Sequence, residues 1–101
     1  MFDLTGCLDE LRSHSTAWLE SRRREVIGVV RRLQSEELAI VRVLDERGRI
    51  DTSVGLDGES AGTVREKVEV ARALESLPAV AAAAYAGVLS AEQLGAVVRA
   101  R

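Results

Sequence analysis

Cysteine, proline, histidine, tryptophan and lysine occur once each in this sequence, as Cys7, Pro78, His14, Trp18 and Lys67. A single cysteine cannot form an intramolecular disulfide, so the expected setting is reducing and cytoplasmic. Cys7 and His14 lie two helical turns apart, but neither has a further Cys or His beside it, so no metal site is expected. The expected roles are a buried thiol and a surface imidazole. One histidine beside a helix cap leaves no nucleophile–base pairing to assemble. The glycines follow neither a P-loop nor a dinucleotide pattern. The chain therefore reads as non-catalytic, with no cofactor and no evident small-molecule substrate. No apolar run approaches the ~18–20 residues that cross a bilayer. The acidic start "MFDLTGCLDELR" lacks the basic-then-apolar order of a signal peptide.

Aromatic residues are as scarce: Phe2, Trp18 and Tyr85 complete the set. A core must come from Leu, Val, Ile and Ala, and small aliphatic side chains pack well between helices. Hydrophobic residues make up 47% of the 101, enough for one folded domain with a modest core. The formal net charge of −2 argues against coating nucleic acid through bulk charge. Its distribution is uneven, because residues 21–50 hold eight arginines against five acids.

Periodicity predicts an all-α domain of about five helices over residues 1–101, cut from a longer chain because the last helix lacks a stop signal. Leu4, Leu8 and Leu11 give a short amphipathic helix over 3–13, and Ser15 or Thr16 caps the next element. From 16 to 47 no proline intervenes. Leu19, Val26, Val30, Leu33, Ile40 and Leu44 step by sevens, fours and threes, with Ile27, Val29, Leu38 and Val41 widening the stripe. The result is a helix of about 30 residues, roughly 45 Å long. One small domain cannot cover it, so it should pair with the other helices, with further sequence, or with another copy of itself. Gly48 ends it.

A polar loop over 48–59 follows, with Asp57-Gly58 as its turn; the alternation in "RIDTSV" has no partner strand. Residues 60–101 hold three helices. Ser60 caps the first, which keeps helical spacing through Leu77. Pro78 opens the second and Gly87 closes it, with Val88 and Leu89 folding back onto its last turn. Ser90 and Gln93 form a capping box for the third, with Leu89 and Leu94 as its staple.

At 100° per residue Arg24, Arg31, Arg42 and Arg49 fall within about 20° of one another, a cationic row that could meet DNA phosphates. Glu20 and Asp45 lie near the same flank, and Gly48 ends the helix before Arg49, so a solvated face is the plainer reading. Thr63, Arg65 and Lys67 open the helix after Ser60 as a recognition helix would. The loop before it is longer than a helix-turn-helix allows, which favours an ordinary amphipathic helix.

Three stretches, "VVRRLQSEELAIVRVLDERG", "VREKVEVARALESLP" and "AAYAGVLSAEQL", together resemble the N-terminal domain of the actinobacterial 13E12-repeat family, catalogued as domain of unknown function 222. The shared marks are Leu33-Gln34, Asp45 to Gly48, Ala71 to Pro78 and Gly87 to Ser90, within residues 29–98. In that family the domain precedes an HNH endonuclease module. Many members also carry an Ala-Trp-Leu helix where this chain has only "IDTSVGLDG", and the HNH motif itself is absent here. No catalytic residue carries over, and any nuclease activity belongs to sequence beyond Arg101. The passage from Leu77-Pro78 to Ser90 also looks like a helical segment of plasmid-partition DNA-binding proteins.

The resemblance implies a non-catalytic domain that positions a nuclease, through DNA contact or through dimerisation by the long helix. Arg24, Arg31, Arg42, Arg65 and Lys67 are the candidate phosphate contacts. The alternative is a protein-interaction module that pairs through the long helix and binds no DNA.

Overall fold

The computed structural model describes residues 3–100. They form five helices and no strand: α1 (Leu4–Arg12), α2 (Thr16–Glu46), α3 (Ala61–Leu74), α4 (Pro78–Tyr85) and α5 (Ala91–Ala100). The expected boundaries shift by one or two residues, and position 101 lies outside the described residues. Leu77 does not extend α3. That helix stops at Leu74, a turn follows through Ser76 N–H on the Ala73 carbonyl, and Leu77 becomes the N-cap of α4.

Each boundary has a local cause. Ser15, Ser60 and Ser90 accept hydrogen bonds from the backbone N–H of Trp18, Thr63 and Gln93 at 3.1, 3.2 and 3.1 Å. The Gln93 side chain returns to the Ser90 N–H at 2.9 Å, completing the capping box. Helices α2 and α4 end alike. After α2, Gly48 at φ +68° lets its own N–H reach the Asp45 carbonyl and the Arg49 N–H reach Leu44. After α4, Gly87 at φ +81° does the same for Ala84, and Val88 for Ala83. Both are Schellman endings, which require a left-handed residue that glycine adopts without a Cβ penalty. In the loop, Asp57 and Gly58 both have positive φ, and Leu56 and Glu59 exchange two backbone hydrogen bonds. That is a type I′ turn with a single bridge.

The core is small and lies at one end. Val70, Ala73, Ala84, Leu94 and Val98 form its buried centre, with Leu38, Leu74, Val80 and Leu89 packed around them. Alanine lets the short α4 sit close to α2 and α3. Its closing turn comes closer still, because a Cβ on Gly87 would stand 3.0 Å from the Gly28 carbonyl oxygen. Leu89 joins the core, whereas Val88 does not fold back: it is 64% exposed. Cys7 is half-buried rather than buried.

Helix α1 and the first turns of α2 project away from this core, with Leu4, Leu8 and Trp18 exposed. His14 stacks on Trp18 with ring centroids 3.7 Å apart. The radius of gyration is 16.8 Å, against about 13 Å for a compact chain of this length. No described helix is long and apolar enough to cross a membrane.

Candidate functional site

The two flanks of α2 have opposite fates. Setting each residue 100° from the last, Arg24, Arg31 and Arg42 share an arc with Ile27, Ser35, Leu38 and Asp45. Most of this arc faces α3 and α4: Ser35 is buried, and Ile27, Arg31, Leu38, Arg42 and Asp45 are half-buried. The cationic row therefore runs into the chain's own bundle.

Three polar clamps result. Arg31 Nη1 donates to the carbonyls of Gly87 and Val88, at 3.2 and 3.4 Å. It lies against the end of α4, where unpaired carbonyls and the helix dipole favour a cation. Ser35 fills the crossing one turn on, its hydroxyl donating to the Arg31 carbonyl at 3.1 Å.

The second clamp joins the ends of α2 and α3. Arg72 grips Asp45 with Nε and Nη2 at 2.7 and 2.8 Å. Arg42 donates to Asp45 at 3.2 Å, and its Nη2 reaches Glu75 at 3.3 Å. Its Nε stands 2.8 Å from Glu75 as a charge pair but makes no aligned hydrogen bond. The Arg72 bidentate bond, against some desolvation, holds the Asp45 carboxyl below its usual range. The Glu75 hydrogen bond, against desolvation, raises the Arg42 pKa.

The third clamp fastens the loop. Lys67 Nζ lies 2.8 Å from Glu37 on α2 and 2.6 Å from Glu59. Partial burial acts to lower its pKa, and the two carboxylates outweigh that and raise it.

Of the five candidate phosphate contacts, Arg31, Arg42 and Lys67 thus hold the fold together. Arg24 and Arg65 remain exposed; Arg24 has Glu20 at a loose 4.0 Å, and Arg65 has no ion pair among the described residues. Gly48 puts Arg49 outside the helix. The structure does not gather the five candidates on one surface.

The opposite flank of α2 is apolar and open. Val26, Val29, Val30, Leu33, Ile40 and Val43 are 42–59% exposed. Of the regular stripe read from the sequence, Leu19 and Leu44 are half-buried, Leu44 beside Ile50, Leu56 and Val64, while the main packing face lies more than 90° around the helix from the stripe's centre.

No family model, curated protein or solved structure matches the chain. Function must be read from these surfaces. An open groove between α2, α3 and α5 is floored by Leu38, Val70 and Leu94 and rimmed by Glu37, Glu66 and Lys67. Glu37 is tied to Lys67, and Glu66 faces Arg99 at 3.4 Å. The groove has neither Cys nor His in its lining, and no group of three potential metal ligands exists among the described residues. Sequence reading passed over Arg72, Glu75 and Glu59 as clamp residues. The partners of Arg72 and Glu75 lie 27 and 33 positions away, and Glu59 meets Lys67 from the end of an irregular loop, so no helical spacing signals them. Asp45, noted near the arginine flank, was the one available hint.

Proposed function

We propose that this chain is a non-catalytic helical module that acts by pairing α2 with another helix. In the setting its sequence resembles, it would hold an HNH-type nuclease in position through that pairing. The observation that carries this reading is the open aliphatic stripe from Val26 to Val43, beside a cationic flank already engaged in the fold. Monomeric domains seldom leave so long an apolar strip facing water unless something binds it.

DNA contact is the second reading, favoured by the exposure of Arg24 and Arg65 and by Arg23 and Arg32, which have no ion pair among the described residues. Titration of duplex DNA at two salt concentrations separates the readings. Pairing predicts no strong binding at low salt. Binding that weakens steeply with salt, and weakens less steeply in an Arg24→Ala/Arg65→Ala variant, would move the assignment to DNA.

A further inference from the structure

We propose that the occupant of the α2 stripe is a second copy of this chain, with the two α2 helices antiparallel about a two-fold axis near Val29 and Val30. This deepens the pairing reading above and rests on it. Leu19, Val26, Leu33 and Ile40 recur every seven residues, the spacing of a two-helix seam. At 100° per residue they drift by about 20° per heptad, which a shallow left-handed supercoil absorbs. Val29 and Val43 continue the seam one position type further round, where Arg22 and Glu36 alternate with them.

Charge sets the direction. On the sides of α2 that border the stripe, Thr16 to Arg32 carries Arg22, Arg23 and Arg32 against Glu25, whereas Leu33 to Glu46 carries Glu36 and Glu37 and no arginine. Among the described residues, Arg23 and Arg32 in the first half and Glu36 in the second have no ion pair within the chain. A parallel pair would set like against like. An antiparallel pair lays each basic half along the partner's acidic half. With the axis between Val29 and Val30, Leu19 comes level with Ile40, Val26 with Leu33, and Arg23 with Glu36. The helices α3 and α4 pack mainly on the other flank of α2; at the seam's margins Ile40 borders Ile50, Leu56 and Val64, and Val26 and Val30 border Ser90 to Glu92.

Surface area agrees. The chain exposes 7299 Å², against about 5,600 Å² for a compact monomer of its mass. The excess exceeds the roughly 800 Å² per partner that a standard interface covers.

Two experiments test the pairing on the whole chain. In a Cys7→Ser background, Leu19→Cys and Ile40→Cys chains are mixed and mildly oxidised. A mixed disulfide is expected, and none from either chain alone, because like positions lie about 31 Å apart along the axis. Homodimeric disulfides from either variant alone would overturn the antiparallel arrangement. In sedimentation equilibrium, Arg23→Glu and Glu36→Arg should each raise the dimer dissociation constant about tenfold, and mixing the two should restore it. Both positions are exposed, so helicity measured by circular dichroism should match wild type. A wild-type monomer at millimolar concentration overturns the dimer. If that monomer also ignores DNA, the stripe serves a different partner; if it binds DNA with steep salt dependence, the pairing reading falls as well.

Discussion

At the scale of single residues, two glycines that meet in space have different needs. Gly87 sits at φ +81° and 3.0 Å from the Gly28 carbonyl where its Cβ would be. Gly87→Ala should cost about 1–2 kcal/mol from the left-handed backbone alone, with more from the displaced α4 turn and the Arg31 hydrogen bonds. Gly28 is helical, and a Cβ there meets nothing within 4 Å. Gly28→Ala should therefore stabilise by about 0.5–1 kcal/mol. Thermal melts of both variants check the pair, and a lower midpoint for Gly28→Ala would contradict the open space around its Cβ position. Asp45 makes a pH prediction. Its folded pKa lies below the ordinary 3.8, so its contribution is complete above that value and lost as pH falls through the lowered one. Asp45→Asn should be less stable than wild type at neutral pH, and the difference should shrink under acid. Denaturant melts from pH 6 to pH 2 would show a constant gap if the Arg72 clamp were unimportant.

At the scale of elements, the helix ends were legible in the sequence and the choice of face was not. Ser60, Ser90, Gly48, Gly87 and Pro78 act within four residues of themselves, so their roles follow from local chemistry. The face that α2 turns to the bundle depends on contacts made across the chain by Gly87, Arg72 and Lys67. Periodicity located the aliphatic stripe but left open whether the other helices, further sequence or a second copy would cover it. Arginines at 100° spacing looked like an outer ridge. Their long, partly apolar stems instead reach across the interface to carbonyls and carboxylates. The two ends of α2 should also differ in stability. Residues 35–45 lie under α3 and α4, whereas 17–26 have almost no covering layer. Amide hydrogen exchange in dilute solution should be faster over 17–26, and should slow there as concentration rises if the helices pair. Uniform protection along α2 at low concentration would contradict a one-sided core.

At the scale of the molecule, a small core at one end carries a rod that reaches well past it. Its principal extents are 48 × 32 × 20 Å. Leu94 is 3% exposed and sits in the centre of the buried cluster. Leu94→Ala should cost about 2–5 kcal/mol, enough to leave a core of this size marginal. Leu33→Ala, at 59% exposure, should change isolated-chain stability by less than about 0.5 kcal/mol. Chemical denaturation at low concentration should separate the two variants clearly. Comparable losses would mean that Leu33 is covered even in the isolated chain.

The single indole sits far from that core. Trp18 is 40% exposed and stacked on His14 at the start of α2. Its fluorescence therefore reports the junction of the first two helices, while far-ultraviolet ellipticity reports all five. A denaturation curve followed by emission alone reports the environment at this junction and not that of the cluster around Leu94. Superposition of the two curves would show that tip and cluster melt as one cooperative unit.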